Sequence, residues 1–265
     1  MAQYTTQSSK YLANNDKIYE VVMLSDQDGN IINTFGAASN VIISAGGLEG
    51  YTGISKFGLV EGTASIGFST VWTAADTSAT STLDYSTFPG TVTVTSNAAD
   101  VGDLVIEGLD DSYNFATETL SLVGTSVTGT QTFHRINRAY YSDGTPNQND
   151  ITISVGGTVV TRVDAGYGQT LQAFYTIPAG KTGYLLQVSA SASKNQETII
   201  AVFQKPFGES FRVSQTMALY QSNQTLEFGV PIKFTEKTDL EVRTKGAINA
   251  VVSVEFTLVL VDNPT

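Results

Sequence analysis

Val252-Ser253-Val254-Glu255-Phe256-Thr257-Leu258-Val259-Leu260 decides the fold class. Val252, Val254, Phe256, Leu258 and Leu260 point one way, and Ser253, Glu255 and Thr257 point the other. A period of two held over this length is that of a half-buried β-strand. The same pattern extends back through the last third of the chain, Gln169 to Asp262. Leu186, Val188 and Ala190 are expected on one face of a strand, with Gln187 and Ser189 on the other. Ile199, Ala201 and Phe203 repeat the alternation, as do Leu240 and Val242 against Glu241 and Arg243. Turns separate the runs: Ile177-Pro178-Ala179-Gly180, where Pro presets φ and Gly tolerates the backbone angles a turn needs, and Pro206-Phe207-Gly208. Val230-Pro231-Ile232 predicts a strand start or edge, since Pro donates no ladder hydrogen bond. About seven or eight short strands of this kind make a sandwich or jelly roll. Phe203, Phe211, Phe228, Phe234 and Phe256 are expected in its core.

The chain has 265 residues, enough for two compact domains. It has no cysteine, which excludes disulfides, thiolate metal sites and cysteine nucleophiles. Its formal net charge is −11. That argues against a nucleic-acid groove, which needs clustered Lys and Arg, and against anchoring to anionic lipid. It favours a soluble, outward-facing role. Met1 to Lys10 shows neither the basic nor the apolar region of a secretory signal, and no apolar run reaches membrane-spanning length.

Residues 1–55 read as an extended N-terminal arm. Ile18 to Leu24 is a strand candidate closed by a turn at Ser25 to Asn30. Asp26 fails as the start of a calcium loop, because Ile31 and Ala37 stand where Gly and Glu are required. Asn33 to Gly58, rich in Gly, Ala and Ser, reads as loop, and Val41-Ile42-Ile43 within it as a segment able to add a strand to a sheet edge. Residues 56–145 are expected to form a β-sandwich domain. In it Trp72 is a core residue, and Leu104–Glu107 and Glu118–Leu122 are the arms of a hairpin around Gly108 to Asn114. Asx turns account for Asp110, Asp111 and Asn114 as well as a calcium site does. The polar turn Ser142 to Asn149 marks the boundary, and residues 146–265 form a jelly-roll-like sandwich opened by a hairpin, Ile151–Val155 and Thr158–Val163 around Gly156-Gly157. The expected fold is thus all-β: two β-sandwich or jelly-roll-like domains in series behind an arm.

No catalytic, cofactor or metal residue is assigned. The one histidine, His134, lies in Phe133-His134-Arg135-Ile136-Asn137-Arg138 and reads as a strand residue. No Gly-x-Ser-x-Gly elbow, phosphate loop or dinucleotide fingerprint is present. Glu107 and Glu118 are a nominal carboxylate pair for glycoside hydrolysis, better read as the solvated face of a hairpin. Arg135 and Arg138 grip a neighbouring subunit's carboxylate or pair locally. Tyr140, Tyr141, Tyr167 and Trp72 are the residues a glycan site would use, and each also fits a strand interior or an interface. The chain is not expected to be an enzyme.

Three phrases carry a resemblance. They are Glu107-Gly108-Leu109-Asp110-x-x-Tyr113-Asn114 leading to Phe133-x-Arg135-Ile136-Asn137-Arg138-Ala139-Tyr140; Gly168-Gln169-Thr170-Leu171 with Ile177-Pro178-Ala179-Gly180-Lys181-Thr182-Gly183-Tyr184; and Phe228-x-Val230-Pro231 with Glu236 to Arg243 and Leu258 to Asn263. Their order resembles β-rich virion structural proteins of tailed bacteriophages, notably phages of marine bacteria and cyanobacteria, over Lys56 to Asn263. The resemblance implies a protein on the outer surface of the particle, assembled in the host cytoplasm. Capsid decoration or cement is the preferred role and a tail, neck or fibre component the alternative. The implied partners are the major capsid protein or other virion proteins and further copies of the chain, a homotrimer being favoured, with no nucleic acid and no membrane.

Overall fold

The computed structural model describes residues 10–14, 17–21, 37–61, 67–73, 82–142, 144, 146–246 and 248–264. The chain divides into two compact units, Met1–Glu49 and Gly50–Thr265. The described part of the first holds an antiparallel hairpin of β1 (Lys10–Asn14) and β2 (Lys17–Val21) and a helix, α1 (Ala37–Ser44). The turn expected at Ser25 to Asn30 lies outside the described residues. Val41-Ile42-Ile43, expected as extended chain able to pair as a strand, is helical. Only Ile43 is buried, while Val41 and Ile42 are exposed. Gly46, at φ 69°, ends the helix with its N–H on the Ile43 carbonyl, the left-handed stop that glycine takes without cost.

The second unit is built on a jelly roll. β3 (Tyr51–Glu61) lies beside β16 (Val251–Asp262), followed by β11 (Lys181–Ala192) and β14 (Asn223–Phe234). The facing sheet runs β10 (Phe174–Thr176), β15 (Asp239–Gly246), β12 (Thr198–Lys205), β13 (Arg212–Leu219). A two-residue strand, β4 (Ser69–Thr70), also pairs with β15. β4 meets Arg243 and Thr244, and β10 meets Asp239 to Glu241, so the two continue one line along the same partner. Between them the Val71 N–H bonds the Val242 carbonyl, the Val242 N–H the Ala173 carbonyl, and the Ala173 N–H the Val71 carbonyl. The chain leaves this broken strand at Val71 and returns at Ala173. Counting it once gives eight strands in two sheets, a jelly roll whose second strand carries an insertion.

The inserted segment is a second β module. β5 (Gly90–Leu109) and β6 (Phe115–Phe133) form a long ribbon. The pairing slips between Thr95 and Asp100, where the ribbon bends. One half of β5 pairs with β8 (Ile151–Val155), which pairs with β9 (Thr158–Val163); the other half pairs with β7 (Arg135–Tyr141). Val92, Val94, Leu104, Ile106, Leu122, Phe133, Ile151 and Ile153 close the core between the halves. The Glu118 carboxylate latches them: Oε1 accepts from Thr130 N (2.7 Å), Thr130 Oγ1 (3.0 Å) and Gln131 N (3.2 Å). Gly129 leaves the space, since a Cβ there would lie 2.2 Å from the second carboxylate oxygen.

The division expected at 145/146 therefore falls inside the inserted sheet, because β8 and β9 pair with β5 rather than with the later strands. Tyr51 to Gly58, expected in the arm and loop, belongs to the jelly roll, pairing with β16 along the whole of β3. Its Gly58 marks a close approach rather than a loop. A Cβ there would stand 2.3 Å from the Val71 carbonyl oxygen and 2.5 Å from the Ala173 nitrogen.

Val252, Val254, Phe256, Leu258 and Leu260 are all buried between the jelly-roll sheets, as their alternation predicts. Along β11 the alternation slips. Leu186 is a bulge opposite both neighbouring strands, so Leu185 and Val188 face the core and Leu186 does not. On β12 the core face is Ile200 and Val202; Ala201 and Phe203 are buried on the opposite face, where Phe68 packs edge-on to Phe203 at 5.1 Å. Phe234 and Phe256 are core residues and Phe228, partly buried, packs against that core, but Phe211 lies outside, against Tyr85. Pro231 sits on β14, an edge strand, as expected.

Candidate functional site

The segment Phe133 to Arg138 crosses from β6 into β7 and forms the joint between inserted module and jelly roll. Arg135 reaches Asp239 on β15 with two parallel bonds, Nε to Oδ1 at 2.8 Å and Nη2 to Oδ2 at 2.9 Å. Thr176 Oγ1 donates to the same carboxylate at 2.7 Å, and Lys205 Nζ stands 4.0 Å away. The guanidinium lies 4.8 Å from the Tyr85 ring centre. Burial opposes its charge, but the Asp239 hydrogen bonds and charge more than offset this and hold the Arg135 pKa above its ordinary value. Both partners are buried, so the pair is shielded from solvent screening.

Beside it a second carboxylate, Glu241, is fully buried. Arg243 grips it with Nε and Nη2, both at 2.9 Å, Thr70 donates its hydroxyl, and Tyr85 donates at 3.3 Å. Burial and then the Glu241 charge push the Tyr85 hydroxyl pKa well up. Alternation alone puts Glu241 and Arg243 on the outer face of β15, and that is where they are. The outer face is itself covered by the segment carrying Thr70 and Tyr85, a contact across more than 150 residues of chain that no local pattern reveals.

Asn137 is the third element. β7 bulges there, since Glu107 pairs with Arg138 and Gly108 with Ile136. Its main-chain carbonyl, left out of the ladder, accepts from Gln172 Nε2 at 2.9 Å and from Lys56 Nζ. Its side-chain Oδ1 accepts from Thr176 N at 3.1 Å. Lys56 is 7% exposed. Burial, then the Arg138 charge, lowers its pKa to about 7, with Glu107 acting in the opposite direction.

Of the residues considered from sequence, Arg135 pairs within the chain. Arg138 points outward, donating to Gln169 Oε1 at 3.0 Å. His134 packs at 4.5 Å against the Tyr113 ring, and burial, then Arg135, lowers its pKa. Glu107 stands opposite Thr117 in register and Glu118 opposite Ile106, so the two carboxylates lie on opposite faces of the ribbon, which Glu118 latches; they do not face one substrate-sized gap. Asp110 forms an Asx turn, Oδ1 accepting from Ser112 N (2.8 Å) and Asn114 N (2.9 Å). Among the described residues, no group of three or more His, Cys, Asp or Glu is placed to hold a metal ion. Trp72 is in the inserted core, edge-on to Phe174 at 6.0 Å, whereas Tyr167 is exposed, so these two do not share a surface. No described helix is long and apolar enough to cross a membrane.

No protein-family model matches the chain, and no curated protein matches it in sequence. Among solved structures it overlaps that of infectious bursal disease virus, Gx strain, at 12% identity over 82% of this chain and 77% of that one, with a TM-score of 0.19. For the Gt strain the values are 11%, 82%, 78% and 0.18. These TM-scores are below those of a shared fold.

Proposed function

We propose that this chain is a structural protein of a tailed-bacteriophage particle, a capsid decoration or cement protein that binds the head surface as a homo-oligomer, with a trimer favoured. The observation that carries the reading is the fate of the buried charge at the joint. Arg135 of the inserted module pairs with Asp239 of the jelly roll, Lys56 of the jelly roll donates to the Asn137 carbonyl of the insertion, and Arg243 grips Glu241 beside them. Such a site braces two β modules against each other, and rigid, repeated β bodies are what a lattice needs. The virion-protein phrases support it: the Arg135 and Asn137 of the first, the Ile177 turn of the second and the Asp239 to Arg243 run of the third all meet at this joint. A tail or neck ring is the alternative within the same class.

Residues 1–49 form a unit separate from the β body and are assigned the contact with the capsid or the neighbouring subunit. Deleting them is expected to leave residues 50–265 folded by circular dichroism and absent from purified particles. Incorporation of the truncated chain at the full-length level would refute the assignment.

A further inference from the structure

Four segments of the β body converge beside the joint and enclose a cavity of about 380 Å³, a volume usual for a small-ligand site. The turn of the long ribbon brings Tyr113, and the crossing from β6 to β7 brings His134 and Arg135. The end of β12 and the turn after it bring Lys205 and Phe207, and the turn before β15 brings Lys237. Two rings form walls. Phe207 stands edge-on to Tyr113, with centroids 5.8 Å apart and planes at 89°. Tyr113 is buried, whereas Phe207 is 64% exposed, a large apolar ring held in water by its turn.

The polar groups are cations short of carboxylates. Asp239 is gripped by Arg135, and Glu209 is bridged to Arg212. Lys205 has only the far side of Asp239, 4.0 Å from its Nζ. Lys237 has no carboxylate within ion-pair distance among the described residues. Its Nζ lies 5.6 Å from the Tyr113 ring centre and 5.3 Å from that of Phe207. His134 Nδ1 is buried and has no hydrogen-bond partner among the described residues. The Asp111 charge reaches His134, but Asp111 does not line the cavity. Such a pocket of unanswered positive charge stands out in a chain of net charge −11. Tyr113 and Lys237 are moreover held at φ 66° and 61°, a left-handed backbone that residues with a side chain rarely take.

We propose that this cavity binds a sugar acid, a pyranose ring that carries a carboxylate. Lys237, the cation without a counter-charge, takes the carboxylate through a charge-assisted hydrogen bond, and Lys205 adds charge across the cavity. His134 Nδ1 donates to the ligand in the tautomer protonated there. The apolar C–H face of the ring lies on Phe207 and Tyr113. An inorganic anion would use the cations and leave the rings uncovered. A neutral sugar would use the rings and leave Lys237 unpaired. The two halves of the cavity together therefore select the acid.

The chain's single histidine makes the test direct. In the full-length chain labelled with nitrogen-15 histidine, the His134 ring resonances are followed by NMR as sodium glucuronate is added. Glucose, sodium acetate and sodium phosphate are compared at equal ionic strength. Glucuronate is expected to give a saturable shift, with binding at least about tenfold tighter than that of each comparison compound. Lys237→Gln is expected to weaken glucuronate binding about tenfold, the loss of one charge-assisted hydrogen bond. Phe207→Ala, on an exposed turn, is expected to weaken it while the fold by circular dichroism is unchanged. Absence of a saturable shift with glucuronate would overturn the proposal, as would undiminished binding in a folded Lys237→Gln. Equal responses to acetate or phosphate would overturn it as well, marking an adventitious ion only. A saturable response to a glutamate-rich peptide, with none to glucuronate, would assign the cavity to an acidic protein partner instead.

Discussion

Replacing Arg135 by Leu removes the guanidinium that clamps the insertion to the jelly roll and leaves Asp239, with 3% of its side chain exposed, without its principal partner. The Thr176 hydroxyl at 2.7 Å and the Lys205 ammonium at 4.0 Å remain. Breaking a buried pair from one side costs roughly 3–5 kcal/mol, because the surviving charge stays desolvated. Lys205 is close enough to compensate in part, so Arg135→Leu belongs near the bottom of that range, about 3 kcal/mol. Asp239→Leu leaves Arg135 with the His134 carbonyl at 2.6 Å and the rings of Tyr85, Phe88 and Tyr113 but no counter-charge in contact, and belongs nearer the top, about 4 kcal/mol. The double Leu variant strands neither charge, so it should lose less than the sum of the singles, with a coupling of about 2 kcal/mol or more. Urea unfolding gives these numbers from the midpoint and slope. Fluorescence of Trp72, in the inserted core, reports the insertion, while circular dichroism reports both modules. Single variants that each lose under about 1 kcal/mol, or additive losses, would refute the argument that this pair is a desolvated clamp.

Gly58→Ala places a Cβ against two main-chain groups that cannot swing aside, and should cost about 2–3 kcal/mol in the same unfolding assay. A neutral effect would show that β3 and the Val71–Ala173 crossing are not in contact. His134 has a pKa below its ordinary 6.5 in the fold, so the unfolded chain takes up its proton first. Its contribution is complete above pH 6.5 and is lost as pH falls through the folded value. Melting temperature should drop between pH 7 and 5 less steeply in His134→Gln than in the wild type, and identical slopes would exclude this residue as a cause.

The sequence is most legible where structure is local. The alternation from Val252 to Leu260, the Gly156-Gly157 hairpin and the edge position of Pro231 each depend on neighbours along the chain, and each stands in the fold as expected. Val41 to Ile43 misleads because β-branched residues favour strands, while the helix they form is set by its length and its glycine stop. The bulges at Leu186 and Asn137 shift the alternation by one residue and leave no local mark. The broken strand is invisible for a stronger reason. Ser69-Thr70 and Phe174 to Thr176 acquire a common line only by pairing with β15, with about a hundred residues between them. The site shares that difficulty. His134, Arg135 and Arg138 stand out as a polar cluster in a strand. Asp239 and Glu241 read locally as the solvated side of β15, and only the distant segment carrying Thr70 and Tyr85 buries that side.

The most direct test of the structural-protein reading is to locate and count this chain in purified particles, by cryo-electron microscopy together with quantitative mass spectrometry. The account predicts many copies spread over the head lattice, with residues 1–49 in contact with the capsid or a neighbouring copy. A chain absent from every particle would contradict it.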